Sequence, residues 1–93
     1  KGTPEIVATE LRETVAILAD LPDSDWRAEK LEDCIRTLQE RHDYKKNQYF
    51  MLLRSASTGK QATPPLFDTL EQIGKKVVLE RLHDALNLVV AEQ

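Results

Sequence analysis

The chain has 93 residues, 41% of them hydrophobic and 31% charged, with 3 Gly, 4 Pro and a net charge of −3. That is one compact unit, too apolar for a disordered chain and too polar for a membrane span. A domain of this size buries only about 60 to 65% of its unfolded surface, which leaves a modest core and excludes a deep cavity for a large cofactor. The lone Cys34 cannot form an internal disulfide, so a reducing interior is expected. No signal-peptide or transmembrane stretch is present in the sequence. Because it begins without Met, the chain is expected to be an excised piece of a longer protein. Only 5% of residues are aromatic and the β-branched residues do not alternate, so the expected fold is all-α.

Thr3, Pro4 and Glu5 read as a helix start: a hydroxyl cap, a proline whose missing N–H costs nothing there, and a carboxylate at the positive end of the dipole. Val7, Leu11, Val15 and Leu18 then mark one face of a helix over about 4–19. The polar segment 20–25 breaks it. A second helix from about Trp26 to Arg41 aligns Leu31, Cys34, Ile35 and Leu38. HDYKKN is a turn without Gly or Pro. Beyond it Tyr49, Phe50, Leu53 and Ala56 mark a third helix, which Gly59 can end in a left-handed conformation. Arg54 lies about 100° around the axis from Leu53, at the border of the buried face. Thr63, Pro64 and Pro65 open a fourth helix, with Leu66, Phe67, Leu70 and Ile73 on its apolar side and Gly74 closing it. A fifth runs from Lys75 or Lys76 to about Ala91, burying Val78, Leu79, Leu82, Leu86 and Val89. A surface pair between Lys76 and Glu80 is expected one turn apart. The apolar stripes are too short for a coiled coil, so the reading is a single array of about five helices.

Charge is unevenly distributed. Residues 1–43 carry 6 Lys or Arg against 11 Asp or Glu, whereas residues 44–81 carry 7 against 3. Between Tyr44 and Phe67 stand Lys45, Lys46, Arg54 and Lys60 with no acid at all. A local basic stretch on an acidic chain can attract a polyanion to one face; a solvated surface accounts for the same charges. No catalytic pattern emerges. His42 and His83 have no metal-ligand spacing. Gly59-Lys60 fails as a phosphate loop, since Gln61 stands where Ser or Thr is needed and Arg54 where the upstream Gly is needed. Ser55 and Ser57 lack a nucleophile framework. The carboxylates of the first half are expected on solvated helix faces.

The segment 54–67, RSASTGKQATPPLF, is the most distinctive. It joins an Arg near a helix end to a basic loop, a proline-stiffened helix start and two large apolar residues. With two prolines lacking N–H groups, that terminus is a poor phosphate cradle and a better edge for a flat group to pack against. Phe67 reads equally as a core residue or as a base-stacking surface, and Leu66 reads first as core.

The run LLRSASTGKQATPPLFDTLEQIGKKVVLERLHDAL, residues 52–86, resembles the C-terminal signature of bacterial-type glutamyl-tRNA synthetases. The matching elements are Leu53, Arg54, Ala56, Thr58 and Gly59, then Thr63, Pro64, Leu66 and Phe67, then Gly74, Lys75, Arg81 and Leu82. Trp26 followed by Leu31 resembles the segment before it. Ser57, where the family usually has an aliphatic residue, and Ile73, where Leu is common, depart from the pattern. The first departure is expected to loosen packing behind the site.

The resemblance implies an all-helical anticodon-binding domain spanning residues 1–93, at the C-terminus of a class I glutamate–tRNA ligase. It implies that Arg54 recognises the middle anticodon base and that Thr63, Pro64, Leu66 and Phe67 hold the third. An Arg fork suits a base edge, and unstacked bases need apolar surfaces. Lys45, Lys46 and Lys60 are expected to attract the RNA backbone. The implied partners are tRNA-Glu, with tRNA-Gln left open, and the rest of the synthetase N-terminal to the domain; the chain is expected to be monomeric and away from membranes. The His-x-Gly-His and Lys-Met-Ser-Lys elements are missing here, so ATP and Mg belong to the parent enzyme, no cofactor is expected in this chain, and it is not expected to charge tRNA alone. The expected compartment is the bacterial cytoplasm, with mitochondrion or plastid as alternatives. The competing class is a helical protein-interaction module docking a partner helix on an apolar edge at Leu66 and Phe67.

Overall fold

The computed structural model describes residues 3–59 and 65–91. Among them are five α-helices and no strand: α1 Pro4–Ala19, α2 Ala28–His42, α3 Lys46–Thr58, α4 Leu66–Ile73 and α5 Lys75–Ala91, with a 3-10 turn at Asp23–Asp25. The most extensive packing is between α1 and α5, with α4 wedged against α2 and α5. One apolar core, built on Leu11, Leu18, Leu31, Ile35, Leu38, Tyr49, Leu53, Leu70, Val78 and Leu82, runs through all five helices.

The Thr3 hydroxyl accepts from the Ile6 amide at 3.2 Å, capping α1 as the Thr-Pro-Glu start requires. Ala8, Leu11 and Leu18 are buried, while Val7 and Val15 are only partly so. Contrary to the solvated-face expectation, Glu10 is also buried, at 5% exposure. The Thr14 hydroxyl donates to the Glu10 carbonyl at 2.7 Å. That leaves the Tyr49 hydroxyl as donor in the buried bond between Thr14 and Tyr49.

The second helix starts later than its apolar pattern suggests. Trp26 lies outside it, and its indole N–H donates to the Leu70 carbonyl of α4 at 3.0 Å. A carboxylate oxygen of Glu71 accepts from the Ala28 amide at 2.7 Å, so α4 caps α2 where Arg27 supplies no cap. At the other end Asp43 takes the left-handed role a glycine usually fills, with φ +53°. The Tyr44 amide closes the turn on the Gln39 carbonyl.

Gly59, at φ +76°, ends α3 as expected. Ser57 does not loosen the packing: it is fully buried and donates to the Leu53 carbonyl at 2.6 Å. Arg81 of α5 in turn donates to the Ser57 carbonyl. The fourth helix begins at Leu66 after Pro65, so the Thr63-Pro64 start is displaced by two residues and Pro65, not Thr63, holds the N-cap position. Thr63 and Pro64 themselves lie outside the described residues, as does Lys60. Gly74, at φ +97° and ψ 154°, separates α4 from α5 by a single residue. Lys76 and Glu80 form no ion pair among the described residues; Lys75 instead donates to the Leu21 carbonyl at 2.7 Å and lies 3.7 Å from Asp23. Among the described residues no helix is long and apolar enough to cross a membrane.

Candidate nucleic-acid interface

Three helices each contribute a pair of side chains to a shallow hollow of about 310 Å³ lined by Glu32, Arg36, Phe50, Arg54, Pro65, Leu66 and Phe67. Glu32 and Arg36 stand one turn apart on α2, and Phe50 and Arg54 one turn apart on α3, the spacing that puts two side chains on one stripe of a helix. Leu66 and Phe67 come from the first turn of α4.

The Phe50 and Phe67 rings meet edge to face at 6.0 Å and 86°. Above both lies the Arg36 guanidinium, 5.6 Å from the Phe50 centroid and 5.9 Å from that of Phe67. Its Nε donates to Glu32 at 2.6 Å, which restrains the head over the rings. Arg54 is half-buried, and its Nε is out of solvent with no hydrogen-bond partner among the described residues. A buried guanidinium N–H without an acceptor is costly, so the hollow lacks one acceptor at a defined place. Glu32 lines the same hollow, yet it pairs with Arg36 and forms no ion pair with Arg54.

The structure therefore brings together Arg54, Leu66 and Phe67. Leu66 is 3% exposed and forms part of the floor. An apolar edge made of Leu66 and Phe67 together, on which a partner helix would dock, is not presented: the first is in the core and the second leans on Phe50. Lys45 and Lys46 are exposed at the start of α3, about 12 Å along the axis from Arg54. They do not join this hollow. Lys45 lines a different one, beside Glu5, Glu10 and Asp43.

Sequence reasoning missed Arg36, Glu32 and Phe50. The first two sit in the acidic half of the chain and have the spacing of an ordinary surface pair, so nothing local marks them. Phe50 fits the core stripe of α3, and only its contact with Phe67 shows that it reaches the edge of the core. Among the described residues no group of three or more His, Cys, Asp or Glu side chains could hold a metal ion.

A family model described as an anticodon binding domain matches residues 1–86. Among curated proteins the chain is similar to glutamate–tRNA ligase 2 of Pseudothermotoga lettingae, 44% identical over 79 residues, which is 85% of this chain and 16% of that protein. It is 42% identical over 66 residues to the glutamate–tRNA ligase of Roseiflexus castenholzii, covering 71% of this chain and 13% of that one. With the glutamate–tRNA ligase of Dehalococcoides mccartyi it shares 40% over 86 residues, 92% of this chain and 17% of the relative. The chain thus spans about a sixth of the length of these relatives. No solved structure matches it.

Proposed function

This chain belongs to the anticodon-binding domain family, and we propose that it reads the anticodon loop of tRNA-Glu as the C-terminal domain of a glutamate–tRNA ligase. The observation that carries this reading is the buried, unpartnered Nε of Arg54 at the edge of an aromatic hollow. A planar donor fork beside ring surfaces suits an unstacked base, which offers acceptors on its edge and an apolar face for stacking. Arg54 is assigned to the middle anticodon base. Phe67, above the Leu66 floor and with Thr63 and Pro64 before it in the chain, is assigned to the third.

Two features support the second assignment. Phe67 is half-buried, so its ring has a partner on one side and room on another. Pro65 gives α4 no side-chain cap, so the amide donors that a helix start leaves unpaired are available to a base. Arg36 joins the site as a cation above the two rings, where it can stack on a base or meet a phosphate. Lys46, exposed at the start of α3, is assigned to attraction of the RNA backbone.

The charging of tRNA-Glu with glutamate, and the ATP and Mg it uses, is assigned to the rest of the ligase. The test is titration of the chain with anticodon stem-loops differing at one base. The expected result is a preference at the middle and third positions that Arg54→Lys removes at the middle one. Equal affinity for all the stem-loops, unchanged in Arg54→Ala, overturns the reading.

A further inference from the structure

At the far end of α3 from the aromatic hollow lies a second one of about 520 Å³, lined by Glu5, Ile6, Thr9, Glu10, His42, Asp43, Tyr44, Lys45 and Gln48. Its chemistry is unfinished. Glu10 is 5% exposed, yet its carboxylate has no hydrogen bond or ion pair among the described residues. The Tyr44 hydroxyl is out of solvent and also lacks a partner. The Tyr44 ring cannot easily turn to find one, because it stacks on His42 at 5.3 Å and packs on Tyr49 at 5.1 Å. Lys45 is exposed and makes no ion pair, so it does not neutralise Glu10. With Glu5, Glu10 and Asp43 against Lys45, the lining is acidic by two charges. At its rim Ile6, 50% exposed, offers apolar surface on the first turn of α1.

We propose that this hollow receives an arginine side chain from a segment of the parent ligase outside residues 1–93, fixing the domain against the body of the enzyme. A guanidinium is the group that fits. Its fork can donate twice to the Glu10 carboxylate, and it is weakly hydrated enough to enter a half-buried pair; the Tyr44 oxygen, sealed from solvent, stays beneath it. Its aliphatic stem covers Ile6 and Thr9. RNA is repelled by the same carboxylates. Burial pushes the Glu10 carboxyl up, and burial followed by the charges of Glu13 and Glu10 pushes the Tyr44 phenol up. Both directions fit a site waiting for positive charge. The inference rests on the reading that the chain is one domain of a longer ligase, about five times its length in the relatives.

The test compares Glu10→Gln, with Tyr44→Phe as a control at a sealed hydroxyl, in two contexts, the 93-residue chain and the full-length ligase, by calorimetric unfolding. In the chain Glu10→Gln removes an uncompensated buried charge, so the melting temperature should rise by about 4 °C. In the full-length enzyme Glu10→Gln removes a contact, so this domain's transition should fall by a similar amount and separate from that of the body, whereas Tyr44→Phe should act with the same sign in both. A change of the same sign in both contexts for Glu10→Gln overturns the proposal. So does self-association of the chain that Glu10→Gln abolishes, which would make a second copy the occupant. Stem-loop base preference, measured alongside, should not move in either variant; its absence in the parent chain would refute the anticodon reading while leaving the calorimetric comparison intact.

Discussion

Replacing Arg54 by Lys isolates the fork from the charge. Among the described residues the Arg54 Nε has no acceptor, so no hydrogen bond to that atom is lost on substitution. The melting temperature of Arg54→Lys should therefore not fall below the parent's. On RNA the outcome differs. A well-placed bidentate pair with a base edge discriminates by about 1 to 3 kcal/mol, which corresponds to about 5- to 150-fold in Kd. Lysine keeps the positive charge and loses the planar pair of donors, so Arg54→Lys should lose nearly as much affinity as Arg54→Ala. The loss should be confined to the cognate stem-loop; one changed at the middle base should bind parent and variants with the same weak affinity. Fluorescence anisotropy at fixed salt, with matched and mismatched stem-loops and a melting curve for each variant, measures all of this. The reasoning fails if Arg54→Lys binds like the parent, or if Arg54→Ala lowers stability while leaving base preference untouched.

Phe67→Leu should lower stem-loop affinity by about 1 to 3 kcal/mol through lost stacking, and parent and variant should converge on a stem-loop that is abasic at the third position. Lys46→Ala should weaken every RNA about equally and reduce the salt slope by about one counterion in a titration against KCl, whereas Lys45→Ala should do less because Lys45 stands beside Glu5, Glu10 and Asp43. Gly74→Ala should destabilise the chain by about 1 to 3 kcal/mol in denaturant titration, because its φ of +97° is strained for a side chain even though the added methyl meets no neighbour. Glu10 holds its proton more tightly in the folded state than in the unfolded one. The stability of the parent relative to Glu10→Gln should thus be greatest below about pH 4 and fall as pH rises through the raised value, as paired urea titrations across pH can follow.

Elements whose signals are local were legible in the sequence. Thr3-Pro4-Glu5 starts α1 and Gly59 ends α3 because a hydroxyl cap and a left-handed glycine act within a few residues of the chain. The end of α2 was harder, since Asp43 adopts the left-handed conformation without being glycine. Its start was misplaced because Trp26 is apolar and continues the stripe, yet it is used across the domain as a donor to Leu70, 44 residues away. The burial of Glu10 has the same origin: on α1 alone it looks like any surface carboxylate, and only tertiary packing sets it at 5% exposure in a hollow shared with His42, Asp43 and Tyr44. The candidate site was half legible. Arg54, Leu66 and Phe67 belong to one contiguous distinctive run, whereas Arg36 and Glu32 reach the hollow from the acidic half through tertiary packing alone.

The polar contacts of α4 are distributed unequally, and that asymmetry bears on how it can serve as a reading edge. With 8 residues it is too short to be stable in isolation. Its C-terminal half is tied down. The Leu70 carbonyl accepts from both the Trp26 indole and the Gly74 amide, Glu71 accepts from the Ala28 amide, and Lys75, just beyond Gly74, donates to the Leu21 carbonyl. All of these partners except Gly74 lie in the segment joining α1 to α2 or at its edge. The N-terminal end has the opposite character: Leu66 is anchored in the core, Phe67 rests on Phe50, and Pro65 caps nothing. A helix fixed at one end presents its other end at a defined place without side-chain caps competing for its amides. Donors held rigid before the ligand arrives lose little freedom when it binds. The cross-links around Trp26, Glu71 and Lys75 are therefore positioning elements for Phe67 and the first-turn amides, although none of them lines the hollow itself.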